Sequence, residues 1–158
     1  MHSEIAIRCA QAEDARSIAL ILLKTGWFPH LSGDSVEFQI ERIETLLALS
    51  YNGSDCRSVY VDEAGVSNVF AYLTVQWLPY LFLSAPEGYI SEIFVHDGLR
   101  GKGIGKSLIE TAERESRERG CSRLMLCNAR DRDSCQRGVY QKHGWQERES
   151  IANFILKL

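Results

Sequence analysis

Four glycines and four basic or histidine side chains crowd into one segment at residues 96–107, which reads HDGLRGKGIGKS. An apolar run, YISEIFV, precedes it, and a stretch with helical periodicity follows it. The N-terminus of a helix presents unpaired backbone N–H groups and a positive dipole end, and glycine lets an anion approach that backbone closely. The segment therefore predicts a phosphate-binding loop at the start of a helix.

The spacing of the glycines distinguishes among three phosphate-binding motifs that residues 96–107 could match. A Walker A loop would need glycine at the position of Arg100, five residues before Gly105. A dinucleotide fingerprint would need glycine at Lys106, and it normally opens a parallel βαβ unit, whereas a β-hairpin precedes this segment. The pattern Arg/Gln-x-x-Gly-x-Gly/Ala does fit, as RGKGIG at residues 100–105. Both nucleotide motifs thus fail by one residue.

The first half of the chain supplies strands and helices that could position this loop. Residues 3–10 alternate as a strand, and a helix follows that ends at Gly26. A second helix begins after a cap at Asp34 or Ser35. Two β-rich runs then predict a hairpin with Gly65 at its turn.

The second half continues the mixture of strands and helices. Residues 89–95 form a fourth strand, and a strongly amphipathic helix runs from the glycine segment to a stop at Gly120. A fifth strand at 122–128, a short helix capped by Asp133 and a final strand at 150–158 follow. The order is β-α-α-β-β-β-α-β-α-β-β, a mixed α/β fold. The amphipathic helix carries three Glu-first i,i+4 pairs: Glu110–Arg114, Glu113–Arg117 and Glu115–Arg119.

Bulk properties favour one globular domain over residues 1–158, because 45% hydrophobic and 25% charged residues are ordinary values at this length. A net charge of -3 does not indicate nucleic-acid binding, which normally needs a basic domain or a basic stripe. No long apolar run or leader pattern occurs, so we expect a soluble, cytoplasmic protein without membrane contact. The five cysteines lack metal-ligand spacing, which predicts reduced, mostly buried thiols and no metal site: Cys9, Cys56, Cys121, Cys127 and Cys135.

Two motifs in order resemble one known family. The unit ISEIFVHDGLRGKGIGKSLIETAE and the later YQKHGW, at residues 140–145, are similar to signatures of the GNAT superfamily of acetyl-CoA-dependent N-acetyltransferases. The element order agrees as well, so the resemblance covers essentially the whole chain. It implies a GNAT-like fold, with a central, mixed, mostly antiparallel sheet flanked by helices. It also implies that acetyl-CoA donates an acetyl group to a primary amine by direct attack.

The same resemblance implies a binding site for coenzyme A. The pantetheine arm would pair with the fourth strand at Ile93, Phe94 and Val95, where the family's fourth and fifth strands splay apart at a bulge. Asn128 would contact the pantetheine, although Asp133 lies nearer the family's usual spacing from Tyr140. The pyrophosphate would be held chiefly by backbone N–H groups of Arg100, Gly101, Lys102, Gly103, Ile104, Gly105 and Lys106. The alternative is a tight loop with solvated basic side chains.

Glu92 is the candidate general base. Alternation places it on one face with Ile90 and Phe94, where a carboxylate is out of character for a simple core position. An alkyl ammonium has a pKa near 10.4 and must lose a proton before it attacks, and a carboxylate can take that proton. Members of the family often carry an acidic residue eight positions before the motif Arg, as Glu92 stands here. A solvent-facing strand Glu is the alternative.

Tyr140 is the candidate general acid, because a phenol can donate a proton to the departing thiolate. The family places such a tyrosine just before its Gly-aromatic turn, as in YQKHGW. A core tyrosine at helical spacing is the alternative.

The acceptor is open among small amines and peptide or lysine amines. Six residues on segments that flank the family's acceptor cleft are candidates to line its site: Trp27, Phe28, His30, Trp77, Tyr80 and Phe82. A non-catalytic acyl-CoA-binding sensor and a P-loop-like nucleotide module remain as alternatives. Oligomeric state is open, and a homodimer would be common in the family.

Overall fold

The computed structural model describes residues 5–51, 56–63 and 69–158, which form two compact units, Met1–Leu126 and Cys127–Leu158. The first, here called the N-terminal unit, contains eight of the ten α-helices and β-strands described. In chain order they are β1 (Ala6–Cys9), α1 (Ala15–Thr25), α2 (Val36–Tyr51), β2 (Arg57–Glu63), β3 (Ala71–Leu78), β4 (Glu87–Val95), α3 (Ile104–Glu118) and β5 (Arg123–Leu126). The C-terminal unit contains α4 (Asp133–Gln136) and α5 (Val139–Lys142).

The five strands form a single sheet in the order β1-β2-β3-β4-β5. The first four strands pair antiparallel, and β5 pairs parallel to β4. A parallel partner for β4 requires a crossover, which α3 supplies between the two strands. The prediction of a mixed, mostly antiparallel sheet flanked by helices is therefore confirmed.

Both faces of this sheet are buried. Tyr72 of β3 packs into an apolar cluster with Ile18 of α1 and Ile43 of α2. Its neighbour Leu73 points to the opposite face by strand alternation, and α3 packs on β3 and β4 with Leu108 fully buried. Consecutive residues of β3 therefore pack alternately against the layer of α1 and α2 and against α3 on the other face.

The ends of α1 and α2 follow from local signals in the sequence. Gly26 caps α1 in the left-handed conformation at φ 64°, which glycine adopts without steric cost. The Ser35 hydroxyl accepts a hydrogen bond of 3.1 Å from the Phe38 N–H at the start of α2. The predicted stop at Gly26 and the predicted cap at Ser35 are both confirmed.

The amphipathic helix α3 forms as the periodicity predicts. Ile104, Leu108, Ile109 and Ala112 are buried, and Gly120 beyond the helix has φ 67°. Two of the three predicted ion pairs form, Glu113–Arg117 at 3.5 Å and Glu115–Arg119 at 2.8 Å. The third differs, because Glu110 pairs instead with Lys106 at 3.6 Å and Arg114 donates to the Thr111 hydroxyl.

The C-terminal unit differs from the prediction at three points. The single predicted short helix is split into α4 and α5 by Gly138 at φ 60°, and Asp133 is the first residue of α4 rather than its cap. The last two predicted strands do not form in residues 143–158 of the described chain. An apolar segment becomes a strand only when its backbone pairs with a neighbour, and here Phe154 is 90% exposed.

The Gly65 turn lies outside the described residues. The expectation of mostly buried thiols is wrong, because all five cysteines are exposed or half-buried in connections, in α4 or at a strand end. Within the described ranges no three His, Cys, Asp or Glu side chains cluster in a way that could hold a metal ion. Among the same residues no helix combines the length and apolarity needed to cross a bilayer. One domain over residues 1–158 stays a prediction.

One buried ion pair ties β1 to the start of α1. The Asp14 carboxylate is 6% exposed and receives two hydrogen bonds from the Arg8 guanidinium, at 2.7 and 2.9 Å. The Gln11 N–H donates a third, at 2.7 Å. Burial alone would raise the pKa of Asp14, but the hydrogen bonds from Arg8 and Gln11 outweigh it and hold that pKa below its ordinary value.

We expect Asp14→Asn to destabilise the protein by about 1–3 kcal/mol at neutral pH, because Asn removes the charge from a buried, hydrogen-bonded pair. The pKa of Asp14 is lower in the folded state than in the unfolded state. The stability that the Asp14 carboxylate contributes is therefore complete above the pKa that Asp14 has in the unfolded chain. It is lost as the pH falls through the lower pKa of Asp14 in the folded protein. Urea unfolding of both proteins between neutral and acidic pH measures the difference. Asp97→Asn, at an exposed carboxylate, is the control. A difference that stays constant down to acidic pH would contradict the assignment.

Candidate active site

An extra residue in β4 shapes the centre of the N-terminal unit. Thr74 pairs with Glu92, but the next residue, Val75, pairs with Ile90, so Ser91 is the additional residue of a β-bulge. Beyond the bulge, Glu92 faces the side of Thr74, whereas Ile90 faces the side of Val75. The prediction that Ile90 shares a face with Glu92 is therefore wrong, because simple alternation does not cross a bulge.

The other edge of β4 opens after the same point. β5 pairs with β4 only from Glu87 to Ile90, and β5 ends at Leu126 opposite Ile90. From Ser91 to Val95, β3 is the only strand partner of β4 among the residues described. Half of the backbone N–H and C=O groups in this stretch are thus directed away from the sheet. An extended ligand could pair with them at the predicted positions, Ile93, Phe94 and Val95.

The glycine segment lies directly beyond this open edge. Gly101 has φ 77° and Gly103 has φ 88°, and a Cβ at either position would have no neighbour within 4 Å. The first helical hydrogen bond of α3 runs from the Ser107 N–H to the Gly103 carbonyl, at 3.0 Å. The amides of Ile104, Gly105 and Lys106 therefore precede the helical ladder and form the positive end of α3. This is the arrangement that the phosphate-loop prediction requires.

Two basic side chains of the segment, Arg100 and Lys106, have partners of their own. Lys106 pairs with Glu110 within α3, and Arg100 pairs with Asp97 at 2.7 Å. The Arg100 guanidinium also lies 5.2 Å from the centre of the Trp27 ring and donates from Nε to the Val95 carbonyl at 3.4 Å. Arg100 therefore joins the loop to the end of β4 and to the connection between α1 and α2. Backbone groups remain the best candidates for holding an anion.

Aromatic rings surround Phe94 on the face that Glu92 shares. The ring centre of Phe94 lies 5.7 Å from Trp27, 5.6 Å from Phe28 and 5.5 Å from Tyr72. His30 contacts the edge of Phe28 at 5.9 Å. Three of the six candidate acceptor residues, Trp27, Phe28 and His30, are thus brought together beside β4.

Tyr72 belongs to this group although the sequence analysis did not single it out. It is 2% exposed, and its hydroxyl has no hydrogen-bond partner among the described residues. Burial raises the pKa of Tyr72, and the nearby Glu92 carboxylate adds to that rise. The only sequence signal for Tyr72 was its place in a β-rich run. Its contact with Phe94 depends on the register between β3 and β4, which the sequence pattern does not reveal.

The other three acceptor candidates lie apart from this group. Trp77 is 5% exposed, donates to the Ser58 hydroxyl at 3.0 Å and stacks under the Arg119 guanidinium, so it packs in the sheet. Its position gives no support to a contact with substrate. Tyr80 and Phe82 pair at 5.2 Å beyond the far end of β3, about 20 Å along the strand from Tyr72. Their contact with an acceptor stays a prediction.

The Glu92 side chain is exposed, at the point where the bulge opens the edge of β4. Exposure agrees with the alternative of a solvent-facing strand residue. The position beside Phe94 and Tyr72 also makes the carboxylate accessible to a bound amine. The catalytic role of Glu92 stays a prediction.

In the C-terminal unit, Tyr140 lies on α5 with its ring 6.1 Å from that of Trp145. Burial raises the pKa of Tyr140, and a hydrogen bond with the Ser134 side chain opposes the rise. The Asn128 amide nitrogen donates to the Ser134 hydroxyl at 2.8 Å, whereas the Asp133 side chain is exposed on the first turn of α4. The predicted pantetheine contacts of Asn128 and Asp133 stay predictions.

Known proteins share this architecture. A transcriptional regulator from Bacillus halodurans C-125 superposes with a TM-score of 0.80 at 20% identity, over 98% of this chain and 100% of that one. A ribosomal-protein-alanine N-acetyltransferase from Brucella melitensis biovar Abortus 2308 gives 0.74 at 20% identity, over 99% and 100%. Glucosamine-6-phosphate N-acetyltransferase from Arabidopsis thaliana gives 0.73 at 19% identity, over 98% and 100%. These likenesses show a common fold.

No curated protein is significantly similar to this chain in sequence. The sequence model of the acetyltransferase (GNAT) family, however, matches residues 23–145. The matched residues include β4, the glycine loop, α3 and Tyr140. With the fold and this match together, the chain belongs to the GNAT family of acetyltransferases.

Proposed function

We propose that this protein transfers the acetyl group of acetyl-CoA to the nitrogen of a primary amine, carried by a small molecule or a peptide. The observation that carries the proposal is the open edge of β4 beside the glycine loop. Pairing with β5 stops at Ile90, β4 ends at Val95, and the free amides at the start of α3 follow after residues 96–103. An extended chain that ends in a pyrophosphate matches both features.

The donor site would use backbone groups of the N-terminal unit. The amides at the start of α3 would hold the pyrophosphate, and the edge of β4 from Ile93 to Val95 would pair with the amides of the pantetheine arm. Positive φ at Gly101 and Gly103 turns the loop so that these amides are accessible. A methyl group at Gly105 would only touch Val95, at 3.6 Å, which agrees with a motif that allows Gly or Ala there.

The chemistry is one acyl transfer. Glu92 takes a proton from the amine, and the nitrogen lone pair then attacks the thioester carbonyl. The C–N bond forms, the C–S bond breaks, and Tyr140 gives its phenolic proton to the departing thiolate. The nitrogen, which entered as an ammonium group, releases its second proton as the amide forms, and that proton restores the Tyr140 phenol. A backbone N–H near the Ser91 bulge would stabilise the oxyanion between these two steps. Because burial raises the pKa of Tyr140, its phenol is protonated at neutral pH and has a proton to give.

We expect Gly103→Ala to weaken binding of coenzyme A by about 5- to 30-fold. An L-residue in the left-handed region costs about 1–2 kcal/mol, and the bound loop has to adopt that conformation at φ 88°. Calorimetric titration with coenzyme A measures the change. Gly33→Ala is the matched control, because Gly33 has no positive φ and its Cβ would meet no atom within 4 Å. Equal affinities of the two variants for coenzyme A would show that the glycine loop is not part of the donor site.

We expect Glu92→Gln and Tyr140→Phe each to lower kcat by about 10²–10⁴-fold, because each variant removes one proton-transfer group. Binding of acetyl-CoA should change little, because the pyrophosphate and the pantetheine arm are assigned to backbone groups and not to these two side chains. Thiol release with a panel of primary amines measures turnover, and Glu118→Gln, on the exposed end of α3, is the control. Full turnover by both variants on an accepted amine would refute the two roles. Binding of acetyl-CoA without transfer to any amine would indicate the sensor alternative.

A further inference from the structure

The Arg100 side chain connects the glycine loop to a residue far away in the chain. Its Cζ atom lies 5.2 Å from the centre of the Trp27 ring, in the connection that follows α1. The Asp97 carboxylate pairs with Arg100 Nη2 at 2.7 Å, and the Val95 carbonyl accepts a hydrogen bond from Arg100 Nε at 3.4 Å. An aromatic ring, a carboxylate and a carbonyl thus hold one guanidinium.

The loop that follows Arg100 has few bonds of its own. Gly101 and Gly103 have positive φ, and glycine backbone is free to adopt several conformations. The backbone N–H groups of residues 101–103 donate no hydrogen bond to any group in the ranges 5–51, 56–63 and 69–158. Such N–H groups suit an anion site, but they do not fix the shape of the loop. The side chain at its first residue can therefore bias which conformation the loop adopts.

Trp27 is itself packed against the sheet. Gly26 ends α1 with φ 64°, and Trp27 is the next residue. The Trp27 ring centre lies 5.7 Å from that of Phe94, on the stretch of β4 beyond its pairing with β5. Trp27 is 37% exposed, and its ring contacts Arg100 as well as Phe94. Trp27 was predicted to line the acceptor site, and the contact with Arg100 places it also beside the loop assigned to the donor.

We propose that Trp27 is a positioning residue for the donor site, which acts through Arg100 to hold the glycine loop in the conformation that binds the pyrophosphate of coenzyme A. Arg100 then acts as a clamp on the loop and not as a ligand of the phosphate. The inference rests on the proposed function, in which backbone amides of the loop hold the pyrophosphate. The apparent affinity for a ligand rises with the fraction of protein in the binding conformation, so a clamp strengthens binding without touching the ligand.

The chemistry of arginine suits such a clamp. A guanidinium is planar and weakly hydrated, so it can lie over an indole while its N–H groups bind oxygens. Gln, which the motif allows at the position of Arg100, has no charge to place over the ring. Lys has the charge but lacks the rigid fork that reaches Asp97 and Val95 together. Arg100 and Trp27 are therefore expected to act as a pair.

The first experiment tests the contact itself and needs no ligand. The ring current of an indole shifts the NMR signals of nuclei that lie over it, so the Nε–H signal of Arg100 should move in Trp27→Leu. Arg100→Lys, which has no Nε–H group, identifies that signal. Phe38→Leu, which removes an exposed ring from α2, is the control. An Arg100 signal that is the same in the wild type and in Trp27→Leu would overturn the proposal.

The second experiment measures the affinity for coenzyme A by calorimetric titration. We expect Trp27→Leu to weaken binding by about 2- to 5-fold, which corresponds to the about 0.5–1 kcal/mol of an exposed cation–π contact. Leu can still pack on Phe94 but has no aromatic face for Arg100. Trp27→Tyr keeps such a face and should restore most of the affinity, and Phe38→Leu should bind as the wild type does. Unchanged affinity in Trp27→Leu, or equal losses in Trp27→Leu and Trp27→Tyr, would contradict the positioning role.

The third experiment distinguishes a clamp from a phosphate ligand. Arg100→Gln should weaken binding of coenzyme A at least as far as Trp27→Leu, because it removes all three contacts of the guanidinium. In the Arg100→Gln background, Trp27→Leu should cause no further loss, since the ring then has no guanidinium to hold. Arg117→Gln, at an exposed arginine of α3, is the control. Losses that add in the double variant would show that the two side chains act separately, and the clamp would be refuted.

Failure of this proposal and failure of the proposed function give different results. A wild-type protein that does not bind coenzyme A would refute the proposed function, and the donor site that Trp27 serves with it. The NMR comparison would still show whether Trp27 contacts Arg100. Binding that is weakened by Gly103→Ala but not by Trp27→Leu would overturn this proposal alone.

Discussion

The extra residue Ser91 in β4 is the constraint on which the candidate site depends. A strand can keep one ladder in register on each edge only while both neighbours advance by the same number of residues. One additional residue shifts every later side chain of β4 to the other face and bends the strand. Glu92 and Phe94 consequently face Tyr72 and the aromatic rings near α1, and the edge of β4 is left open beyond its short pairing with β5. The bulge thus sets the face on which Glu92 lies, and the end of β5 at Leu126 leaves the backbone of β4 open beside it.

The glycine loop completes this opening because it follows β4 with few intervening residues. Positive φ values at Gly101 and Gly103 allow the chain to turn sharply into α3, and the first amides of that helix precede its hydrogen-bond ladder. Arg100 fixes the loop by binding Asp97 and covering the Trp27 ring. Arg100 therefore connects the glycine loop, the end of β4 and the aromatic cluster within the N-terminal unit.

The two proton-transfer candidates lie in environments that suit opposite tasks. Glu92 is exposed, where its carboxylate is well solvated and can meet an incoming ammonium group. Tyr140 is half-buried beside Trp145, where burial keeps the phenol protonated and Ser134 limits the rise of its pKa.

The sequence by itself determined the features that depend on neighbours within a few residues. Examples are the glycine loop, the amphipathic α3 and the Ser35 cap. The roles of Glu92 and Tyr140 come from the family resemblance and stay predictions. Only the tertiary structure decided the Ser91 bulge, the burial of Tyr72 and Trp77, the bond between Asn128 and Ser134, and the absence of strands from residues 143–158 of the described chain. The physical reason for this division is the distance along the chain over which each interaction acts. Backbone preference and periodicity act locally, whereas strand register, burial and side-chain partners are set by residues far apart in the chain.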